Sequence, residues 1–466
     1  MNMAEASNIR SWRRDSGREP AVRIGVVIEA DAMPSIELRV PDDAYELLPE
    51  GTGAEMVRDV RITTRAAGDA VALVIGDGPS RVARSWSLAP GQPRPLCRGA
   101  GVLVRDVVAG RGFHWHKRVD QTLAGRLELF SRPGGLILVN EVPLETYLAG
   151  VITAEMSSRC PHEFLRAQCI VARSWLLAFT EPKHDAEPFD RCNDDCCQRY
   201  QGTGDLGENA LDAVAVTRGQ ALLSPEGDVV DANYSKSCGG VVELPEHVWG
   251  IHKPGLATLV DAPGGSAAQR FRTVTDDNIA EYVEGDWLRQ TDVYCSPRVV
   301  PEEDLGRYLG RVDESGRYFR WAVRYRREEL EELLRRKLPE AADMALLRGL
   351  RVTRRGVSGR ALEIALDVEG RSGVREEIRV PDQYRIRQVL HDRFLYSSAF
   401  AVRIDRDLGS ADGASRTITL RGAGWGHGAG MCQIGALGMS LRGLDHGQIL
   451  AHYFPQAVRK AVYSTS

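Results

Sequence analysis

No apolar run in the chain approaches the ~18 residues that a transmembrane helix needs, so hydropathy offers no membrane-spanning segment. An excess of one charge is also missing. Sixty basic residues stand against sixty-four acidic ones, a formal charge of -4, which leaves no electrostatic case for nucleic acid or an anionic membrane as partner. The nine cysteines are an odd number without a repeating framework, and this argues against a disulfide-stapled secreted scaffold. Nor does the amino terminus read as a secretory leader: Met1 to Pro20 is polar and Arg-rich, and the apolar run from Ile24 to Ile28 stops at Glu29. Taken alone, these absences describe a cytoplasmic chain.

What is present is 466 residues with 43% hydrophobic and 27% charged content, enough for more than one core. Residues 1–20 read as a flexible arm. From Val22 the apolar runs are short, β-branched and broken by Gly, Pro and Asp, as in Val71 to Ile75 and Leu136 to Val139, so 21–139 is expected to be mostly β. At Asn140 the spacing turns helical, first through Leu144, Leu148 and Val151, then through Leu165, Cys169, Ala172, Leu176 and Phe179. A cysteine-rich loop follows at 192–197, with strands expected at Gln220 to Leu223 and Val229 to Tyr234. Arg327 to Leu338 sets Leu330, Leu333, Leu334 and Leu338 on one face, which makes its many charges a solvated helix surface. Near the end, a helix stops at Gly443 and another restarts at Asp445, with Gln448 completing a capping box.

The two helices that begin after Asn140 each open with proline, Pro143 and Pro161, at the first helical position. Glu145 and Glu163 then fall at the third position, where a carboxylate complements the helix dipole. Glu155 has no such explanation. It lies near the carboxyl end of the first helix, where the dipole disfavours a negative charge and favours a protonated carboxyl group, as a general acid requires. The plainer reading is a solvated glutamate on a turn.

The wording around Glu155 decides between them. Tyr147-Leu-Ala-Gly-Val-Ile-Thr-Ala-Glu-Met156, Pro161-His-Glu-Phe-Leu-Arg-Ala-Gln168 and Ala172-Arg-Ser174 resemble the core of the SpoIID/LytB family of bacterial cell-wall proteins. Three later segments agree in order: Cys197-Gln-Arg-Tyr-Gln-Gly202; Tyr234-Ser-Lys-Ser-Cys-Gly-Gly240 leading to Trp249; and Gly424-Trp-Gly-His-Gly-Ala-Gly-Met-Cys-Gln-Ile-Gly-Ala436 running on to Tyr453. The resemblance spans roughly 130–458. It implies an α+β fold: a SpoIID-like core in two parts, 140–250 and 422–466, a mostly β region at 21–139, and an expanded α+β insert at 251–421. Ser157, Cys432 and Ile434 depart from the family's usual Pro, Ser and Trp, at positions that bear on sugar specificity.

The activity implied by the resemblance is that of a peptidoglycan lytic transglycosylase on glycan strands stripped of stem peptides. Glu155 would protonate the oxygen between N-acetylmuramic acid and N-acetylglucosamine, then take the proton of the muramic C6 hydroxyl as it closes a 1,6-anhydro ring. Because the nucleophile belongs to the substrate, one carboxylate serves as acid and base. The resemblance also implies that Arg173, Gln198, Tyr200, Tyr234, Ser237, His427 and Gln433 contact the glycan. It places the protein at the cell envelope, in conflict with the leaderless amino terminus.

Other groups carry weaker signals. Glycines at 422, 424, 426, 428 and 430 would share one face of an extended strand, either to admit a glycan beside His427 or to pack against another strand. Cys192, Cys196 and Cys197 have thiolate-ligand spacing for Zn2+, with His184 upstream as a third or fourth ligand; of these the resemblance favours Cys192 and Cys197, and free or bridged thiols are the alternative. Cys238 and Cys295 fit either a disulfide or two buried thiols. Cys169 shares an apolar helical face, which suits a buried thiol rather than a nucleophile. Two rival functions follow: a non-catalytic wall-binding module that enhances a separate amidase and does not need Glu155, and a zinc-dependent hydrolase that would leave a reducing sugar end.

Overall fold

The structure, a computed structural model, describes residues 17–463 except 52, 113–114, 179, 181–182, 290, 311–315 and 407–415. Residues 1–16 of the expected arm and Phe179 lie outside the described residues. The fold is α+β and forms two compact units. The first comprises the described parts of 1–223, 307–314 and 459–466; the second, those of 224–306 and 315–458. The expected core segment 140–250 is therefore divided after Leu223, and the β region shares a unit with the helices that follow it. The cause is covalent as well as energetic: the strand Gly135–Pro143 pairs with Ala21–Val27 along its length and runs directly into the first helix.

In the first unit a seven-stranded sheet has the order Arg191–Cys192, Ala21–Val27, Gly135–Pro143, Arg126–Arg132, Ser85–Pro90, Tyr45–Pro49, Glu55–Val57. A second sheet has six strands and includes Ser35–Val40, where Ile36, Leu38 and Val40 are buried in alternation, the period-two signature of a strand with one covered face. Gly135–Pro143 instead buries Leu136 through Asn140 without a break, as a central strand covered on both faces does.

That strand leads into α1 (Leu144–Glu155), in which every residue but Thr146 is buried, so the helix has no solvent stripe. Pro143 is its cap rather than its first residue, and Glu145 stands second. The chain before the first strand closes the helix's open end: Leu144 N–H donates to Pro20 O at 2.9 Å and Glu145 N–H to Glu19 Oε1 at 2.8 Å, satisfying amides that have no partner inside the helix. Glu19 and Pro20 are thus tied down. The next helix, α2 (His162–Ala178), buries Leu165, Cys169, Ala172 and Leu176, the face expected from their spacing, and Phe164 beside it.

The second unit holds two three-stranded antiparallel sheets, one with Arg416–Ala423 central and the other with Ala361–Gly370 central. The helix Arg327–Lys337 covers part of its core with Leu330, Leu333 and Leu334. Acids in its first turn and Arg335, Arg336 and Lys337 in its last complement the dipole. The capping box of Asp445 and Gln448 forms at the start of His446–Tyr453. Tyr234–Ser235 is a two-residue strand, parallel to Met431–Cys432, much shorter than the expected strand from Val229. No helix among the described residues is long and apolar enough to cross a membrane.

Candidate functional site

Glu155 is the last residue of α1 and 7% exposed. The chain leaves the helix in extended conformation at Met156 and is held there by Tyr308, whose carbonyl accepts from Ser157 N–H at 2.8 Å. The Glu155 carboxylate meets a main-chain donor, the N–H of Arg199, at 3.2 Å from Oε1. A main-chain contact carries no residue-type signal, so Arg199 was not singled out by its sequence. Its guanidinium donates to Asp195 at 2.6 Å and lies over the Trp115 ring at 4.4 Å.

Gln198 and Tyr200, on either side of Arg199, point into the interior. Tyr147 OH donates to Gln198 Oε1 at 3.1 Å, and Gln198 Nε2 donates to Ala172 O at 3.2 Å. The Tyr200 ring stacks on Tyr147 at 5.4 Å, and its hydroxyl donates to Asn140 Oδ1 at 2.8 Å. Gly150 permits this approach, since a Cβ there would stand 2.6 Å from the Tyr200 ring. The motif residues around Arg199 therefore fasten one loop to the central strand, α1 and α2, which fixes the amide that reaches Glu155. Burial places both side chains behind the surface, where a bound glycan would not touch them.

Arg173 is likewise fully buried. Its Nε and Nη2 donate to Glu145 at 3.1 and 2.6 Å, and its Nη1 donates to Gln220 O at 2.9 Å. Glu145 also accepts from Gly219 N–H and from Tyr463 OH. Instead of merely complementing a dipole, Glu145 is half of an interior ion pair joining α1 to α2. Cys169 is buried beside this pair, and burial raises its thiol pKa, which suits a structural thiol.

The cysteine loop hangs on the edge of the seven-stranded sheet, where Ile24 and Gly25 pair with Arg191 and Cys192. Arg111 braces it by bonding Asp31, Asn193 Oδ1 and, through its N–H, Asp194 Oδ2. His184 Nε2 lies 3.4 Å from Cys197 Sγ and 3.7 Å from Cys196 Sγ, and Cys192 Sγ is 2.8 Å from Cys196 Sγ. All four ligand atoms fall within 4.8 Å of one another, one nitrogen and three sulfurs, a donor set suited to tetrahedral zinc. Cys196 joins the three residues expected from sequence. Hydrogen bonds from Cys192 and Cys197 lower the Cys196 thiol to about 4, the anionic form that ligates a metal. An ion here would supply a cross-link and positive charge two residues before the amide that holds Glu155.

Tyr234, Ser237, His427 and Gln433 belong to the second unit. Ser237 and Gln433 are buried. The glycine-alternating segment is not the extended strand expected: the strand ends at Ala423, and Gly424, Gly426, Gly428 and Gly430 have φ of +77°, +93°, +80° and +74°. Alternating residues of positive φ coil the chain, and its close neighbours are the protein's own: Ser237 and Cys238 at Gly424, Arg360 at Gly428, Asn233 at Gly430. A Gly430→Ala substitution combines a left-handed backbone with overlap on the Asn233 carbonyl and is expected to cost at least ~2 kcal/mol. Gly443→Ala, at φ +84° with open space around it, should cost only ~1 kcal/mol. Urea unfolding of the two variants measures the contrast, and equal losses would count against the packing.

His427 Nδ1 accepts from Ala429 N–H at 3.2 Å, and its ring packs on Trp249 at 4.9 Å. Burial, and then the charges of Arg360 and Arg387, lower its pKa to about 3. An unfolded histidine titrates near ~6.5, so between these values the unfolded chain binds a proton that the folded chain does not. Stability is present above pH ~6.5 and declines as pH falls through this window. The unfolding midpoint of a His427→Gln variant should therefore drop less from pH 7 to pH 4 than that of the wild type; parallel drops would refute the assignment.

Comparison with known proteins places these features. The family model of SpoIID, the stage II sporulation protein, matches residues 132–223, from the central strand through α1, α2 and the cysteine loop. A model of a domain of unknown function (DUF8618) matches residues 289–430. An uncharacterized protein of Brachyspira hyodysenteriae is 25% identical over 320 residues, 68% of this chain and 67% of that protein. Stage II sporulation protein D of Bacillus subtilis is 25% identical over 158 residues, 31% of this chain and 46% of that protein, so the match spans less than half of that relative. The segment that ends α1 on Glu155 and carries the cysteine loop is similar to the SpoIID family, and this similarity points to a cell-wall-related role.

Proposed function

We propose that the protein is a lytic transglycosylase that cleaves the bond between N-acetylmuramic acid and N-acetylglucosamine in peptidoglycan strands stripped of stem peptides. The observation that carries this reading is a nearly buried carboxylate, Glu155, held at a helix end by the main chain of Arg199 within the family-matched segment. The neighbouring acids of the loop have other bonds: Asp194 accepts from Arg111, and Asp195 pairs with Arg199. In this reading Glu155 serves alone. Protonated, it donates to the glycosidic oxygen as the C1–O bond breaks, and the aglycone leaves with a free 4-hydroxyl. The carboxylate then takes the proton of the C6 hydroxyl as that oxygen bonds to C1, so the acid is regenerated and no water is consumed. A sugar ring held in the geometry for C6 attack gains the advantage of an intramolecular nucleophile.

Mass spectrometry of the products from stripped peptidoglycan, with wild type and with Glu155→Gln, tests the proposal. Anhydro-muramic ends from the wild type alone are expected. Reducing ends that disappear with chelator would favour zinc-dependent hydrolysis instead. Binding without cleavage by either protein would favour the wall-binding module that assists a separate amidase.

A further inference from the structure

A second group of metal-ligand side chains lies inside the second unit, independent of the cleavage reading. Cys238, Asp261, Cys295 and Cys432 are all buried, and their ligand atoms lie within 4.8 Å of one another. Cys238 Sγ is 3.8 Å from Cys295 Sγ and 3.3 Å from Asp261 Oδ2. A disulfide would bring two sulfurs to ~2.05 Å. A tetrahedral zinc ion with bonds of ~2.3 Å to sulfur separates its sulfur ligands by ~3.8 Å. The spacing of this pair is the edge of a coordination tetrahedron.

The surroundings are arranged as those of a metal site are. Three main-chain amides point at sulfur: Cys238 N–H to Cys432 Sγ at 3.2 Å, and Gly240 N–H to Cys238 Sγ and Gly435 N–H to Cys432 Sγ, each at 3.3 Å. Such donors favour the thiolate and orient it. Cys432 also caps the nine-residue helix Gln433–Leu441, where the dipole further favours an anion. Asp261 Oδ1 is held by Tyr453 OH at 2.7 Å and His452 Nε2 at 3.3 Å, and its Oδ2 is turned toward Cys238 Sγ. Residue 435 must be glycine for this arrangement, since a Cβ there would overlap Asp261 Oδ2. The nearby guanidinium groups of Arg320 and Arg360 donate to the carbonyls of Gly239 and Cys238. A buried set of three thiols and one carboxylate is best satisfied by a divalent cation.

We propose that Cys238, Cys295, Cys432 and Asp261 form a zinc site of Cys3Asp type with a structural role, cross-linking four segments drawn from across the second unit. Binding converts the three thiols to thiolates and releases their protons to solvent. With four protein ligands the ion keeps no open position, which distinguishes it from a catalytic zinc. Cys432, a departure from the family's usual wording, is one of the ligands.

The test uses the full chain carrying Cys192→Ser and Cys197→Ser, which disables the cluster of the first unit and leaves the second untouched. Metal analysis after zinc loading and desalting should return about one equivalent of zinc per chain, and Co2+ in its place should show thiolate-to-cobalt charge transfer with tetrahedral d–d bands. Adding Cys432→Ser should abolish both signals. If that variant does not fold, the cobalt spectrum of the folded parent still decides. A metal-free parent with no cobalt signal, or a Cys238–Cys295 disulfide in a non-reducing peptide map, would overturn the proposal. Neither readout depends on glycan cleavage, so the site and the enzymatic reading can fail separately.

Discussion

Glu155→Gln should lower turnover on stripped peptidoglycan by at least ~10³-fold, because the substitution removes both the proton given to the leaving oxygen and the base that receives the C6 proton. The fold should not change. Glutamine keeps an oxygen where Oε1 accepts from Arg199 N–H at 3.2 Å, and it matches glutamate in volume. Glycan affinity should stay within a few-fold of wild type, so the loss falls on kcat rather than KM. Glu155→Asp is informative in a different way. It keeps the acid but withdraws it by one methylene from a position fixed by the helix end and the Arg199 amide, and a displacement of ~1 Å is enough to cost ~10²-fold. If Gln cleaves within ten-fold of wild type, Glu155 is a structural carboxylate and the wall-binding reading gains. If both variants lose affinity and thermal stability together, the residue holds the loop instead of acting on the sugar.

The parts of this site that sequence reveals are those carried by local periodicity and wording. The apolar spacing through Leu144, Leu148 and Val151 locates α1 and hence the end on which Glu155 sits, and the tight spacing of Cys192, Cys196 and Cys197 marks a ligand loop. What periodicity cannot give is the partner across the fold. Glu145 has an adequate local explanation as a dipole complement, and that explanation conceals a buried pairing with Arg173, 28 residues away. Asn140 reads as the point where strand spacing gives way to helical spacing, yet it lies inside the strand Gly135–Pro143, where Tyr200, 60 residues on, donates to it. The glycine alternation from 422 to 430 is ambiguous in principle. A period of two fits a strand with one bare face, but residues without Cβ can equally take positive φ at every second position, and tertiary packing against Asn233, Ser237 and Arg360 selects the second. Convergence of Cys238 and Cys432 across 194 residues leaves no trace in spacing at all.

Arg173→Met should destabilise the first unit by about 3–5 kcal/mol, the usual consequence of leaving one member of a buried ion pair without the other. Methionine fills most of the volume, so the loss is electrostatic: Glu145 stays in the interior with the N–H of Gly219 and the hydroxyl of Tyr463 as donors but without the bidentate guanidinium. A lowering of the first unit's unfolding midpoint by roughly 10 °C corresponds to this loss. Adding Glu145→Leu to the same chain removes the stranded charge, and much of the stability should return because apolar side chains of similar size often replace buried ion pairs at little cost. The double-mutant cycle then gives a coupling energy well above that of contacts between independent sites. A single variant within about 1 kcal/mol of wild type would mean that water reaches Glu145 when Arg173 is gone. The cycle also separates stability from chemistry. Glu145 lies at the opposite end of α1 from Glu155, so a double variant that regains its unfolding midpoint should regain cleavage as well. If it regains the fold and not the activity, the ion pair sets where α1 presents Glu155, and Arg173 is a positioning residue of the site.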